Sequence, residues 1–147
     1  MIELGWREWL SLPELGVARL RAKIDTGARS SALHVDRHWR FHDGGAPWVG
    51  FQLTPGKTGT LPIEASARIA DERAVVDSGG HRCQRIFVRT LLQIAGAQRD
   101  IEINLCDRRD MRFPMLLGRT ALEGMFTVDP SCSFLHNRPP RHLEQRA

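Results

Sequence analysis

A carboxylate stands where a predicted strand ends, at Asp25. Small or apolar side chains alternate along residues 18–24, which is typical of a half-buried strand, and the alternation stops at Asp25-Thr26-Gly27. Glycine permits a close backbone approach, and the threonine hydroxyl can hydrogen-bond within a turn. The pattern therefore predicts a rigid turn that presents the Asp25 carboxylate, a group suited to general acid–base chemistry.

A second unit follows far downstream, at residues 115–122. Met115-Leu116-Leu117 reads as a short buried strand, Gly118-Arg119 as a turn, and the residues from about Thr120 onward as a short helix. We expect Gly118 and Arg119 to support the turn that carries Asp25.

Together the two units resemble the retropepsin-like aspartic proteases. Further segments occur in order around them: Gly5-Trp6-Arg7-Glu8-Trp9, Leu12-Pro13-Glu14-Leu15-Gly16, Ala28-Arg29, Ser78-Gly79-Gly80-His81, Thr120-Ala121-Leu122 and Val128-Asp129-Pro130. This set is similar to the bacterial family often labelled "ATP-dependent zinc protease", which includes RimB-type proteins associated with a RimK-type ATP-grasp glutamate ligase. The resemblance covers roughly residues 3 to 135. It implies an all-β, retropepsin-like closed barrel with one short helix after Leu116-Arg119.

Periodicity favours the same class independently of the resemblance. Short alternating segments occur at Val17–Ile24, Ser31–Val35, Trp48–Leu53, Leu61–Ala70, Arg73–Val76, Gln84–Leu92, Arg99–Leu105, Phe113–Leu117, Gly124–Val128 and Cys132–Leu135. Many short strands separated by Gly- and Pro-containing turns predict an all-β, barrel-like domain.

Aspartic proteolysis needs two carboxylates that share a proton around one water molecule. The chain has one Asp-Thr-Gly motif, so we expect a homodimer in which the Asp25 residues of two subunits meet, with Thr26 and Gly27 holding the catalytic geometry. Val75-Val76-Asp77-Ser78-Gly79 is a rival second motif within the chain. The interval between the two motifs is too short for a second lobe, so the Asp77 segment reads better as a hairpin tip. In a retropepsin-like fold this region includes the flap over the substrate.

Basic side chains follow both the Asp25 motif and the Asp77 segment in the sequence. Taken singly, each is a solvated or structural charge, but as a set they could bind substrate carboxylates, which arginine does bidentately. The resemblance implies such a substrate: glutamates that the ligase adds to the C-terminus of a small-subunit ribosomal protein. The candidate substrate-binding residues are Ala28, Arg29, His34, Gly80, His81 and Arg82.

Metal and nucleotide chemistry have weak sequence support. No His-Glu-x-x-His and no Cys-x-x-Cys occurs, and no Walker-type glycine loop is present. His34, His38 and His42 would align only on a helix, which the Asp43-Gly44-Gly45 breaker disfavours. We therefore expect no metal and no cofactor.

The 147 residues suffice for one domain, which we place at residues 1–136, with a flexible tail at residues 137–147. No apolar run approaches the ~20 residues of a membrane span, and no signal peptide precedes the domain, so we expect a cytoplasmic protein without membrane contact. The three cysteines are widely spaced, which is not a disulfide framework. The net charge of +4 comes from scattered arginines without a recognition motif, so no direct nucleic-acid binding is expected.

Two other functions stay open. A non-catalytic module could recognise acidic peptide tails for a glutamate ligase, and it would tolerate a monomer. A zinc-dependent hydrolase would bind zinc stoichiometrically and lose activity on chelation.

Overall fold

The computed structural model describes residues 1–56, 60–77, 79–107 and 112–136, so the predicted tail at 137–147 lies outside the described residues. The chain is all-β, as expected. The strands are β1 (Ile2–Gly5), β2 (Arg7–Leu12), β3 (Val17–Ile24), β4 (Ser31–His34), β5 (Arg37–Asp43), β6 (Ala46–Leu53), β7 (Ile63–Arg68), β8 (Asp71–Val76), β9 (Arg82–Ile94), β10 (Ala97–Cys106), β11 (Met115–Leu117) and β12 (Phe126–Asp129). The short helix α1 (Arg119–Leu122) follows β11 as predicted, and a 3-10 turn occupies Pro13–Leu15.

Six strands form a closed ring in the order β10-β4-β11-β3-β2-β9, because β9 also pairs with β10. The ring closure agrees with the retropepsin-like fold class. The side chains of Leu20, Leu33, Ile103, Met115 and Leu117 are fully buried within it. Strand β8 adds to the outside of β9, so the β8–β9 hairpin extends beyond the ring.

The β2–β3 hairpin has two chemically different faces, because successive side chains of a strand point to opposite sides. Leu10 and Leu12 of β2 are buried in the core. Arg7, Trp9 and Ser11 point outward and are half-buried. On β3 the outward positions include Arg19, Arg21 and Lys23.

A separate three-stranded sheet, in the order β5-β6-β7, is formed by strands that lie between residues 37 and 68. Sequence reasoning assigned no strand to residues 37–43, whose side chains are mostly exposed. His38 and His42 lie on this strand, so the helical alignment with His34 does not exist.

The predicted strand at Cys132–Leu135 is wrong. This segment makes isolated main-chain hydrogen bonds instead: the Trp6 N–H donates to the Cys132 carbonyl at 2.8 Å, and the Phe134 N–H donates to the Arg7 carbonyl at 2.9 Å. Phe134 has a φ of 54°, in the left-handed region, which interrupts an extended ladder.

In the described part of the chain, no helix is long and apolar enough to cross a bilayer.

Candidate active site

The Asp25 turn begins where β3 ends. The Asp25 N–H donates to the Leu117 carbonyl at 2.8 Å, and the Ala28 N–H donates back to the Asp25 carbonyl at 3.2 Å. The Asp25 Oδ1 accepts the Gly27 N–H at 3.0 Å. Thr26 and Gly27 are exposed, and Asp25 is half-buried. The turn thus presents a fixed carboxylate at the surface of the described chain.

Arg119 and Thr120, which follow Gly118, bind this turn through hydrogen bonds to its main-chain carbonyl groups. The Arg119 guanidinium donates from Nη1 to the Thr26 carbonyl at 3.1 Å. The Arg119 N–H donates to the Ala28 carbonyl at 2.8 Å. Thr120 donates to the Arg29 carbonyl at 3.1 Å from both its N–H and its hydroxyl. These bonds fix the main chain of residues 26–29 and leave the Arg29 side chain exposed.

A chain of buried polar groups connects the region of the Asp25 turn to strand β9. The Gly118 N–H donates to the Ser31 Oγ at 3.0 Å, and the Asn104 Nδ2 donates to the Ser31 carbonyl at 2.9 Å. The Asn104 Oδ1 then accepts a 2.9 Å bond from the Nη1 of Arg85, which is only 9% exposed. Buried polar groups that satisfy one another in this way favour one arrangement of the surrounding strands.

Sequence reasoning missed Ser31, Asn104 and Arg85 as members of the site. Each lies inside a strand, and no local motif distinguishes them from neighbouring residues. The bond between Asn104 and Ser31 joins residues 73 positions apart, so only the tertiary pairing of β4 with β10 brings them together.

The Asp77 segment is a hairpin tip, as predicted. Its Oδ1 accepts the N–H groups of Gly79 and His81, each at 2.9 Å. Gly80 has a φ of +82°, which favours glycine. His81 and Arg82 are exposed at the same tip, where the hairpin extends beyond the ring. Ser78 lies outside the described residues.

His34 lies apart from the Asp25 turn. It is three residues beyond Ser31 on β4, about 10 Å along an extended strand. Its N–H donates to the Pro114 carbonyl at 2.8 Å, and its Nε2 lies 3.7 Å from Asp36 Oδ1. The structure therefore places His34 beside the segment before β11, while Ala28 and Arg29 belong to the turn itself.

Among the described residues, no group of three or more His, Cys, Asp or Glu side chains is positioned to hold a metal ion. No disulfide joins the three cysteines in the described part of the chain: Cys83 is exposed, Cys106 is buried and Cys132 is half-buried.

Known proteins resemble the chain over most of its length. Proteins from Shewanella pealeana and Parasynechococcus marenigrum, each named "Probable alpha-L-glutamate ligase", are 34% identical over 132 residues and 33% identical over 133 residues. The matched regions cover 89% and 90% of this chain. They cover only 29% and 28% of those relatives, so the chain spans less than a third of their length.

A solved structure and a protein family also match the chain. The crystal structure of a Legionella pneumophila protein of unknown function superposes with a TM-score of 0.74 at 29% sequence identity, covering 91% of this chain and 97% of that one. The family described as "RimB-like: Retropepsin-like aspartic endopeptidase RimB" matches residues 3–139. The chain therefore belongs to the RimB-like family of retropepsin-like aspartic endopeptidases.

Proposed function

We propose that the protein is an aspartic peptidase that works as a homodimer on glutamate-rich peptides. The observation that carries the proposal is the Asp25 turn, whose carboxylate is fixed by the Gly27 N–H at 3.0 Å and whose main chain is fixed by Arg119 and Leu117. Such rigidity costs conformational freedom, and it is useful where a carboxylate must meet a reacting group in one geometry.

The second carboxylate comes from a second copy of the chain. Thr26 and Gly27 are exposed beside Asp25, so the turn has an open side on which an identical turn can pack about a two-fold axis. We do not assign the second carboxylate to Asp77, because Asp77 belongs to the tip of the β8–β9 hairpin, which extends beyond the ring of strands that carries Asp25.

The two Asp25 carboxylates share one proton and hold one water molecule. The ionised carboxylate removes a proton from the water as the water oxygen attacks the peptide carbonyl carbon. The other carboxyl group then gives its proton to the leaving nitrogen as the C–N bond breaks. One peptide bond and one water become a carboxylic acid and an amine, and the pair again holds one proton.

Exposed cations support a glutamate-rich substrate. The side chains of Arg29 and Arg82 are exposed, and neither forms an ion pair within the described part of the chain. His81 is exposed at the same hairpin tip, where its Nδ1 lies 3.5 Å from the Asp77 Oδ1. We assign catalysis to Asp25, Thr26 and Gly27, substrate binding to Ala28, Arg29, His34, Gly80, His81 and Arg82, and support of the site to Gly118 and Arg119.

The relatives support a link to glutamate chemistry. They are named glutamate ligases, and the region that matches this chain is less than a third of each polypeptide. We infer that this domain, residues 1–136, operates beside a RimK-type ligase and removes glutamates from a protein tail such as that of a ribosomal protein.

The test is incubation with a peptide that ends in a run of glutamates, followed by mass spectrometry. An isosteric peptide with a glutamine tail is the matched substrate control. Asp25→Asn tests the catalytic carboxylate, and Asp100→Asn, on the exposed side of β10, is the matched variant. We expect loss of glutamates with wild type and Asp100→Asn, and none with Asp25→Asn. Hydrolysis by Asp25→Asn, or equal hydrolysis of the glutamine tail, would overturn the proposal.

The relatives' ligase names also favour a second function, a non-catalytic module that recognises acidic tails for a ligase. Binding of the glutamate-tailed peptide without any cleavage by wild type supports that module and rejects the peptidase. Cleavage that stops on chelation supports a zinc-dependent hydrolase.

A further inference from the structure

Arginine and aromatic side chains form a continuous series of contacts along the outer side of the β2–β3 hairpin, in which Phe113 is buried, Arg19 is exposed and the others are half-buried. We call this series the Arg–aromatic ladder. Its members, in spatial order, are Arg21, Phe113, Trp6, Arg7, Phe134, Trp9 and Arg19.

The middle of the ladder is a cation between two rings. The Arg7 guanidinium carbon lies 4.7 Å from the Trp6 ring centre and 4.8 Å from the Phe134 ring centre. Phe134 in turn stacks on Trp9, with the ring centres 5.9 Å apart and an interplanar angle of 26°. Contacts of this kind fix the plane of the guanidinium group.

Both ends of the ladder are arginines on β3. The Arg19 guanidinium carbon lies 4.0 Å from the Trp9 ring centre, and that of Arg21 lies 4.9 Å from the Phe113 ring centre. Arg19 is exposed, so the outer side of its planar group faces solvent. An exposed guanidinium plane is a surface on which a nucleobase can stack.

The cations of this face have no ion-pair partner among the described residues. Lys23 also points outward from β3, and within the described residues none of Arg7, Arg19, Arg21 and Lys23 forms an ion pair. The buried Nε of Arg7 has no hydrogen-bond partner there either. Concentrated positive charge without internal partners attracts a polyanion.

A groove of about 360 Å³ adjoins the Arg19 end of the ladder, between the β2–β3 and β9–β10 hairpins. It is lined by Trp9, Leu10, Ser11, Ala18, Arg19, Gln93, Ile94, Gly96, Ala97 and Gln98. No carboxylate lines it. The Ser11 hydroxyl donates to the Gln93 Oε1 at 3.1 Å, which leaves the Gln93 amide N–H groups for a ligand, and Gln98 supplies a second carboxamide to the lining.

We propose that the ladder and the groove bind single-stranded nucleic acid, with phosphates on Arg7, Arg19, Arg21 and the adjacent Lys23 and one nucleobase in the groove. A glutamate tail would bind through the cations alone and would not use the aromatic and amide groups. An aromatic wall, an exposed guanidinium plane, a hydroxyl and two carboxamides are instead the groups that stack on a base and read its edges.

This proposal reverses the expectation from the sequence, where the arginines are scattered. Arg7, Arg19 and Arg21 become neighbours only because β2 pairs with β3, with Trp9 opposite Arg21 and Arg7 opposite Lys23. Phe113 and Phe134 join them from distant parts of the chain.

The test is fluorescence anisotropy of the full chain with a labelled oligo-uridine and its deoxy counterpart, at 50 and 200 mM salt. Single strands give a log–log slope of about −0.7 per phosphate contact, so four cations predict about −2.8 and a roughly 50-fold loss of affinity between the two salts. Binding of either oligonucleotide with this dependence supports the site, and the preferred sugar identifies the natural ligand class.

Two variants and one control locate the surface. Arg19→Gln with Arg21→Gln keeps the aliphatic stems against the rings but removes two charges, and should reduce the slope by about 1.4. Arg37→Gln with Arg68→Gln removes two exposed arginines from the β5–β7 sheet and should leave binding unchanged. Ala18→Phe fills the groove without a charge change and should weaken binding about tenfold at constant slope.

Absence of binding at 50 mM salt would overturn the proposal, as would an equal effect of the Arg37 and Arg68 control. If Arg19→Gln with Arg21→Gln weakens binding of the glutamate-tailed peptide but not of either oligonucleotide, this face binds the acidic peptide instead. Unchanged binding by Ala18→Phe would overturn the role of the groove. Thermal melts of each variant exclude loss of the fold as the cause.

Discussion

The main-chain N–H of Gly118 donates a 3.0 Å hydrogen bond to the hydroxyl of Ser31, although 87 residues separate the two. This bond joins the strand after the Asp25 turn to the strand that supports it. It also brings the two backbones so close that a Cβ on Gly118 would lie 2.5 Å from the Ser30 carbonyl oxygen and 3.0 Å from that of Ala28.

Gly118→Ala should therefore destabilise the protein by about 2–3 kcal/mol and abolish hydrolysis, because the added methyl group meets backbone rather than a flexible side chain. Gly27→Ala is the contrasting variant. Its Cβ would lie 3.2 Å from the side-chain Oδ1 of Asp25, so its stability should change less than that of Gly118→Ala while its activity falls, because the carboxylate assigned to catalysis has to shift. Urea unfolding and peptide hydrolysis measure both; a Gly118→Ala protein with wild-type stability would contradict the close approach.

Asn104→Ala should cost about 2–4 kcal/mol in the free energy of unfolding. The change removes the acceptor of the Arg85 guanidinium and the donor to the Ser31 carbonyl, and it leaves a buried cation unpaired. Adding Arg85→Met should recover part of that loss, because the unpaired charge is then gone. A double-mutant cycle with urea denaturation measures the coupling, and strictly additive effects would contradict the network.

Glu8→Gln should destabilise the protein by about 2–3 kcal/mol and speed amide hydrogen exchange at Leu135 and His136. The Glu8 carboxylate is fully buried and accepts three main-chain N–H groups: Gly5 at 2.7 Å, Leu135 at 3.0 Å and His136 at 3.1 Å. A glutamine side chain has one acceptor oxygen and an NH₂ group in place of the two carboxylate oxygens, so at least one buried N–H donor loses its acceptor. The exposed Glu3→Gln is the control and should leave both measurements unchanged.

Mixed dimers test the shared site. If each active site needs two Asp25 carboxylates, subunits mixed with Asp25→Asn should give a hydrolysis rate that falls with the square of the wild-type fraction. The same mixing with Asp100→Asn should give no loss. A linear fall with the Asp25→Asn fraction would mean that one chain carries a complete site.

Asp129 should contribute to stability at neutral pH but not in strong acid. Hydrogen bonds from the Ser131 hydroxyl at 2.6 Å, the Ser131 N–H at 2.9 Å and the Cys132 thiol at 3.4 Å hold the pKa of Asp129 below its ordinary value of 3.8. A lowered folded-state pKa adds stability above the unfolded value, and that stability is lost as the pH falls through the lowered value. The melting temperatures of wild type and Asp129→Asn should differ at pH 7 and converge as the pH falls below 3.8 and through the lowered pKa.

Local sequence determined the fold class and the position of the Asp25 turn. The alternation over residues 17–24 predicted β3 with the bounds that the structure has, and the Gly118-Arg119 unit predicted the helix that follows β11. The prediction worked here because period-two alternation and glycine turns are properties of a few adjacent residues. It failed at Cys132–Leu135, where the backbone of Phe134 leaves the extended region and the Glu8 carboxylate replaces a neighbouring strand.

Only the tertiary structure decided which distant residues share a surface. The Ser31–Asn104–Arg85 chain and the Arg–aromatic ladder both depend on which strands pair with each other. The sequence of a single strand does not indicate its pairing partner. The sequence by itself determined which residues could form a reactive turn. The closed ring of strands decided which side chains support that turn and which positive charges lie together, because ring closure fixes every register at once.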